Sequence, residues 1–451
     1  MPALASKPRR DLENAVKQAR RAAEAGAAKA LDQLAVGHHE PWGSMKDPEQ
    51  RRLRNRLRAH GQQLGDGRDP QRGTQSITRL KGEVAYEHWH RMLFARYLAE
   101  NDLLIEPESG QAMTMDECRE LAREQGKDWL PLACAYAEAM LPEIFRRGDP
   151  VLEVTLPPET RSELEDVLNA LPREVFVASD SLGWVYQFWQ AERKDEVNAS
   201  GNKIGADELP SVTQLFTEDY MVDFLLDNTL GAWHAGKALA GNPDLAASAK
   251  DEAELRAAVA LPGCPWNYLR FVKSQDDRWA PAAGVFAGWP KTAKELTCLD
   301  PCMGSGHFVV AMFERLVALR IAEEKIDEAS AVAAVIRDNL YGLEIDPRCT
   351  QIGAFNLALA AWRRVGYRPL PAMNLACSGL APNTSEADWL KIAGGDGNIQ
   401  NGMSRLYRLF KNAPVLGSLI NPRVAENELL ESAFHELQPL LEKALAKEAN
   451  D

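Results

Sequence analysis

The sequence predicts an α/β protein with a parallel sheet, preceded by a region built only of helices. Between residues 295 and 380, three short apolar runs alternate with helical segments, which is the pattern of parallel strands joined by crossover helices. Between about residues 76 and 172, apolar residues recur at three- and four-residue intervals, as in amphipathic helices. A chain of 451 residues is long enough for two to four domains, at roughly 100–200 residues per domain.

The predicted strands are the apolar runs ELTCLD, NLYGLEID and PAMNLACSGL. Helices are predicted to begin at His307 and Thr350, with an additional helix (IDEASAVAAVIRDN) between the first two strands. Upstream, a helix over 219–233 precedes a Pro/Gly-rich connection that runs to about Lys291, and polar linkers are predicted at 61–73 and 194–209. The predicted regions are a basic helical or flexible arm (1–75), a helical domain (76–205), an α/β core (206–390) and a helical tail (391–451).

The net charge of −13 argues against a protein that coats nucleic acid by bulk charge. Charge is uneven, however: residues 1–80 carry 16 Lys+Arg and 9 Asp+Glu, and the remainder carries −20. At helical spacing, a run of arginines in this basic part could form a face that contacts phosphates, or simply a solvated helix face. These candidate DNA-binding residues are Arg51, Arg52, Arg54, Arg56 and Arg58.

Cysteine and apolar patterns predict a cytoplasmic protein without a membrane segment. The seven cysteines form no C-x-x-C pair, so neither a zinc ribbon nor a disulfide framework is supported. No apolar run approaches the roughly 20 residues needed to span a bilayer. His88 and His90 lie two apart on a predicted helix and so face different sides, which predicts packing or surface roles and no metal site.

The sharpest motif is LTCLDPCMGSGHF, in which an apolar strand ends at Leu299 and Asp300 follows. A turn containing Gly304 and Gly306 then leads into a helix, where backbone N–H groups can approach a ligand closely. Asp300 would repel a pyrophosphate but suits a cationic group such as an ammonium. A helix N-cap is the alternative role for this residue.

The second motif is Glu344-Ile345-Asp346-Pro347, at the end of the next apolar strand. An acidic residue there suits bidentate hydrogen bonding to ribose hydroxyls, and Ile345 could cover an adenine face. Glu344 follows Asp300 by 44 residues, whereas dinucleotide-binding folds place this acid about 20 residues on. The spacing therefore disfavours a dinucleotide-dependent enzyme, and a plain surface position at the strand end is the remaining alternative.

Together, DPCMGSGHF, LYGLEIDP and the upstream SVTQLFTEDYMVDFLLDNTLG resemble the N6-adenine DNA methyltransferases, over roughly residues 209–380. The likeness is greatest to the large enzymes of BREX- and DISARM-type phage-defence systems and to fused restriction–modification enzymes. It implies an incomplete Rossmann-like core that binds S-adenosyl-L-methionine. Asp300 would accept from the ammonium, Thr217 would hold the methionine carboxylate, and Glu344 would hold the ribose. The implied cofactor-binding residues are Phe216, Thr217, Asp300, Cys302, Gly304, Gly306, Glu344, Ile345 and Ser378.

Two departures from this family's pattern stand out. Glu218 replaces the usual proline of the upstream block, and the third strand ends in Cys377-Ser378 where many relatives have an Asp or Asn. Ser378 or the backbone would then contact the adenine of the cofactor.

The catalytic block of the family, N/D/S-P-P-Y/F/W, is absent from the sequence. No catalytic residue is therefore predicted, and the expectation is an amino-terminal portion of a longer methyltransferase or one chain of a split one. The implied partners are double-stranded DNA and other defence-system proteins or a C-terminal chain carrying the catalytic and target-recognition parts. A catalytically silent cofactor-binding scaffold is the alternative. Cytosine-N4 enzymes share these motifs, but the large architecture favours adenine.

Overall fold

The computed structural model describes residues 4–145, 148–201, 203, 212, 217–284, 288–378, 386–392 and 397–413. The chain divides into two compact units, one comprising Met1–Ser211 with Gly379–Asp451 and the other Val212–Ser378. Within the described residues, no helix is long and apolar enough to cross a membrane.

Among the described residues of the amino-terminal unit, every regular secondary-structure element is a helix. α1 packs against α3, α7 and α9 through small and aliphatic residues such as Leu12, Val16 and Ala23, which are fully buried. Residues assigned from the sequence to an arm thus contribute α1 and α2 to this unit. The helices are α1 (Ser6–Gln33), α2 (Pro48–Gln63), α3 (Thr78–Glu100), α4 (Met115–Glu124), α5 (Trp129–Met140), α6 (Pro142–Phe145), α7 (Pro158–Ala170), α8 (Arg173–Val177) and α9 (Ser181–Ser200), with a 3₁₀ turn at Pro150–Glu153.

The end of α9 and the two histidines of α3 can be compared with the sequence predictions. The linker predicted from residue 194 is wrong for 194–200, because α9 continues to Ser200 and ends at Gly201 with a left-handed φ of 65°. The packing roles predicted for the histidines of α3 are confirmed: His90 is 2% exposed, and Nε2 of His88 lies 3.1 Å from the Val151 carbonyl oxygen. Burial lowers the pKa of His88 to about 4.

The second unit contains the three predicted strands, which pair in parallel in the order β3-β4-β5. Leu299 is opposite Tyr341, and Leu343 is opposite Ala376. The strands are β1 (Phe271–Lys273), β2 (Trp279–Pro281), β3 (Cys298–Asp300), β4 (Leu340–Glu344) and β5 (Asn374–Cys377). The helices are α10 (Asp219–Leu226), α11 (Ala232–Gly241), α12 (Pro243–Ser248), α13 (Glu252–Val259), α14 (His307–Glu324), α15 (Glu328–Asp338) and α16 (Pro347–Val365), with a 3₁₀ turn at Ala293–Glu295.

The connection before Lys291 contains regular structure that its Pro/Gly-rich composition does not indicate. α10 continues through a π-turn at Asp227–Gly231 into α11, and the connection then contains two helices and the antiparallel pair β1–β2. The turn between these strands uses Asp277 in a left-handed conformation (φ 55°) where a glycine would be the recognisable signal. Both strands are three residues long, too short for a visible alternation of apolar and polar residues.

The core of the second unit lies between the parallel sheet and its crossover helices. Fully buried Phe313 and Leu316 of α14 and Val335 of α15 belong to one continuous apolar cluster. Beyond this unit, α17 (Glu386–Ile392) and α18 (Gly397–Phe410) pack together through Trp389, Met403 and Leu406. Most of the predicted helical tail lies outside the described residues.

Candidate functional site

The glycine turn between β3 and α14 has the geometry that the motif predicts. Gly304 and Gly306 have positive φ angles of 53° and 81°, a region that glycine occupies at little cost. A Cβ at Gly306 would lie 2.9 Å from the Cα of Gly353 on α16, so the turn packs directly against the backbone of that helix. Met303 is buried beneath the turn, and its amide donates to the Leu343 carbonyl at 2.9 Å. The turn is therefore held rigidly over the end of β4.

Asp300 closes β3 and lies half-buried at the mouth of this turn. Its Oδ1 accepts the backbone N–H of the exposed Cys302 at 3.0 Å. Burial raises the pKa of Asp300, and this hydrogen bond offsets only part of the rise. Among the described residues no Lys, Arg or His forms an ion pair with Asp300, so a cationic ligand group would find an uncompensated carboxylate.

Glu344 connects the end of β4 to the glycine turn. Its Oε2 accepts the Gly304 N–H at 2.8 Å, and its Oε1 accepts the N–H groups of Ile345 (2.9 Å) and Asp346 (3.0 Å). The side chain is buried, with 5% exposed. A carboxylate offers about four acceptor positions, so three are used within the protein and one on Oε2 remains for a hydroxyl. The sequence did not indicate this structural role.

The end of β5 completes the same edge of the sheet. The N–H of Ser378 donates to the Glu344 carbonyl at 2.7 Å, and the Ser378 hydroxyl lies 3.4 Å from that oxygen. Ile345 is half-buried beside it, and its carbonyl lies 3.5 Å from Cys377 Sγ. Asp300, the glycine turn, Glu344, Ile345 and Ser378 thus meet at the carboxyl edge of the parallel sheet, where ligands of open α/β folds bind.

The upstream block, SVTQLFTEDYMVDFLLDNTLG, contacts the helix that follows the glycine turn through one side chain. Phe216 is outside the described residues, and Thr217 is half-buried two residues before the start of α10. Asp219 Oδ1, at the start of α10, lies 2.9 Å from Nε2 of His307, the first residue of α14. This contact places Thr217 two residues from a side chain that touches the helix following the turn.

Arg315, which no sequence motif marks, holds α10 to α14. Its Nη2 lies 2.7 Å from Asp223 and 3.0 Å from the buried Asp227, and these two carboxylates raise the pKa of Arg315 against the effect of burial. The recurrence of Asp at 219, 223 and 227 was the available signal, since residues four apart share one helix face.

Two of the five candidate DNA-binding arginines have a structural role in α2. Arg54 and Arg58 are 5% and 9% exposed. Both donate to backbone carbonyls, and burial lowers the pKa of both. The accepting carbonyls, at 2.5–3.1 Å, belong to Ala35, Val36, His38, His39 and Gly73. These two side chains fix the loop after α1 and cannot reach a phosphate from their present positions.

The other three arginines lie nearer the surface. Arg56 forms an ion pair with Glu153 at 2.6 Å, and Arg51 Nε donates to the Met45 carbonyl at 2.8 Å. Arg52 is exposed and lies 3.5 Å from Glu49. The five arginines therefore do not form one face, and phosphate contact by α2 stays a prediction.

A parallel sheet with a glycine turn and a strand-end acid at its carboxyl edge is typical of α/β proteins that bind nucleoside-containing cofactors. No model of a known protein family matches the chain. Its sequence is similar to adenine-specific methyltransferases. PglX of Lacticaseibacillus casei (strain Zhang) is 28% identical over 225 residues, which are 49% of this chain and 17% of that protein.

Two further relatives carry the same description. BrxX of Escherichia coli O9:H4 (strain HS) is 28% identical over 232 residues, 51% of this chain and 17% of the relative. PglX of Streptomyces coelicolor is 31% identical over 110 residues, 24% of this chain and 8% of the relative. The predicted resemblance to a large adenine-specific methyltransferase is confirmed. The matched stretch spans 17% of the length of the first two relatives.

Proposed function

We propose that this chain is the cofactor-binding part of an S-adenosylmethionine-dependent DNA methyltransferase that modifies adenine at N6 in a phage-defence or restriction–modification system. The observation that carries the proposal is Asp300: a half-buried carboxylate with no ion-pair partner among the described residues, at the mouth of a positive-φ glycine turn. The relatives' shared name, adenine-specific methyltransferase, supports the choice of reaction and base.

The residues present fit S-adenosylmethionine. Asp300 would accept from its ammonium group, and the turn formed by Gly304 and Gly306 would lie beneath its methionine part. The free position on Glu344 Oε2 would accept a ribose hydroxyl, while the half-buried Ile345 would pack against adenine. When bound, the cofactor supplies an activated methyl group. The remaining proposed contacts are Phe216, Thr217, Cys302 and Ser378.

The alternative function is a catalytically silent cofactor-binding subunit, which the absence of an N-P-P-Y-like block in these 451 residues favours. Transfer of a tritiated methyl group to unmethylated double-stranded DNA, measured with and without a chain carrying the catalytic block, tests the two hypotheses. Labelling by the chain alone would contradict the alternative. Labelling only when a chain carrying the catalytic block is added would support a split enzyme.

Isothermal titration of the chain with S-adenosylmethionine and, separately, with NAD tests the cofactor assignment. Binding of S-adenosylmethionine without binding of NAD is the expected result, because a pyrophosphate beside Asp300 would place like charges together. Binding of NAD alone would overturn the proposal.

We expect Asp300→Asn to weaken S-adenosylmethionine binding at least tenfold, because the variant keeps the shape and the acceptor for the Cys302 N–H but loses the charge that attracts an ammonium. The measurement is isothermal titration at neutral pH. Asp276→Asn, an exposed aspartate in the turn between β1 and β2, is the matched control and should bind as the wild type does. Equal affinities for wild type and Asp300→Asn would remove Asp300 from the site.

We also expect opposite pH trends in binding and in stability. Because the pKa of Asp300 is raised in the folded chain, its stabilising effect is present at low pH and is lost as pH rises through the raised value. The Asp300→Asn variant lacks this loss. Its free energy of unfolding should therefore increase relative to that of the wild type between about pH 4 and about pH 7. Cofactor affinity of the wild type should instead rise with pH. Urea unfolding gives the free energies of unfolding at both pH values, and isothermal titration gives the affinities. An equal difference in free energy of unfolding between wild type and variant at both pH values would contradict the prediction.

A further inference from the structure

α10 and the π-turn that extends it have three aspartates on the side that faces α14. Asp219, Asp223 and Asp227 recur every four residues, which places them on one side of a helix. Asp219 contacts His307 at the start of α14, and the other two contact Arg315, further along the same helix. The two helices therefore run in the same direction and are joined at two points, about 12 Å apart along α14.

The carboxyl end of α10 is held firmly at Arg315. The side chains of Asp227 and Arg315 are 3% and 13% exposed. The other carboxylate oxygen of Asp227, Oδ2, accepts the backbone N–H of Tyr268 at 2.9 Å. Removing one partner from a buried ion pair is strongly destabilising. This end of α10 is therefore fixed by a structural contact.

The amino end of α10 is held less firmly. The Asp219 side chain is 45% exposed and its Oδ1 lies 2.9 Å from Nε2 of His307, which is 19% exposed. The buried residues of α10 are Val222 and Leu226. Its outer side has large exposed apolar residues, namely Tyr220, Met221, Phe224 and Leu225. A contact between partly exposed groups adds little to overall stability, but this one determines where the first turn of α10 lies.

The contact between Asp219 and His307 joins two segments that are proposed to hold the methionine part of the cofactor. Thr217 precedes Asp219 by two residues, at most about 7 Å along the chain, and His307 directly follows Gly306. The glycine turn is itself fixed, because Gly306 packs against the backbone of Gly353. The position of Thr217 relative to the glycine turn therefore depends on this contact.

We propose that Asp219 and His307 are a pair of positioning residues that raise the affinity of the site for the amino-acid part of S-adenosylmethionine and leave its affinity for the nucleoside part unchanged. The inference rests on the proposed function, which assigns Thr217 and the glycine turn to the methionine part. The proposed nucleoside contacts lie elsewhere, at the end of β4. There the Glu344 carboxylate is oriented by three backbone N–H groups, none of which belongs to α10.

Isothermal titration of the full chain with two ligands tests the pair. Methylthioadenosine is the second ligand, because it keeps the nucleoside and the thioether of S-adenosylmethionine but lacks the amino-acid part. We expect Asp219→Ala and His307→Ala each to weaken binding of S-adenosylmethionine about tenfold and binding of methylthioadenosine by less than about twofold. The double variant should also lose about tenfold, because both changes remove the same interaction.

Two further variants separate positioning from folding. His307→Gln, whose side-chain amide can still donate to Asp219, should keep most of the affinity for S-adenosylmethionine. Lys237→Ala is the matched control, because Lys237 forms an ion pair between α11 and Glu323 at the far end of α14. It should bind both ligands as the wild type does. Urea-unfolding midpoints of all these variants should lie close to that of the wild type.

Four outcomes would overturn the proposal: wild-type affinity in both alanine variants, equal loss of affinity for both ligands, additive losses in the double variant, or unfolding midpoints far below that of Lys237→Ala. Failure of the proposed function gives a different result. In that case the wild type itself does not bind S-adenosylmethionine. Binding by the wild type that no alanine variant alters would overturn the positioning role and leave the cofactor assignment intact.

Discussion

The Gly306→Ala variant is expected to lose about 2–5 kcal/mol of stability in the second unit and most of its affinity for S-adenosylmethionine. A left-handed conformation costs a non-glycine residue about 1–2 kcal/mol, and Gly306 has a φ of 81°. The added Cβ would also lie 2.9 Å from the Cα of Gly353, and backbone cannot move aside as a flexible side chain can. Forcing an extra carbon into a packed contact costs a further ~1–3 kcal/mol.

Denaturant-dependent hydrogen exchange measures the stability loss in the unit that carries each variant, over residues 298–365 for Gly306→Ala and over α4 and α5 for the control, and titration measures the affinity. Gly126→Ala is the control, because Gly126 has a similar φ of 64° but no atom within 4 Å of the added Cβ. The control should show only the conformational cost of about 1–2 kcal/mol. If Gly306→Ala cost no more than this control, the close approach of the turn to α16 would not exist in solution.

Asn339→Leu is expected to destabilise the second unit by about 3–5 kcal/mol. Asn339 is fully buried just before β4, and its Nδ2 donates to the carbonyls of Ala293 (2.9 Å) and Leu296 (2.6 Å). Its Oδ1 accepts from the buried Arg320 at 2.9 Å. Leucine is of similar size but leaves two carbonyls and part of a guanidinium unsatisfied. Each buried group left without its partner costs about 1–3 kcal/mol, and more where it is charged.

Asn228→Leu is the matched control for this variant. Its Nδ2 also donates to two carbonyls, those of Phe224 (2.8 Å) and Tyr268 (2.9 Å), but the residue is half-exposed. Water can replace these bonds, so a loss of about 1 kcal/mol or less is expected. Urea unfolding of both variants gives the comparison. Equal losses would show that burial of Asn339 does not determine its contribution.

Sequence patterns predicted the part of the site that depends on short-range order. The strands β3, β4 and β5 were found because apolar runs of that length, bounded by helical periodicity, are typical of parallel sheets. Asp300 and Glu344 were placed at strand ends for the same reason, and Gly304 and Gly306 marked a turn with positive φ. Each of these predictions uses residues within a few positions of one another.

Other features could not be predicted from such patterns. The arginines of α2 looked equivalent in sequence, yet Arg54 and Arg58 are buried against carbonyls while Arg52 is exposed, because the loop after α1 folds back over one side of the helix. The hairpin β1–β2 was missed because its strands are short and its turn has an aspartate in place of glycine.

By itself the sequence determined a parallel α/β core with an acid and a glycine turn at its carboxyl edge, and a resemblance to adenine-specific methyltransferases. Only the tertiary structure decided that the Glu344 carboxylate binds the Gly304 amide 40 positions away, that Asp219 meets His307, and that α10 has its apolar side outside. The physical reason is that periodicity and turn chemistry are local properties of the chain. The packing of the elements determines which side chain satisfies which distant polar group and which face remains exposed.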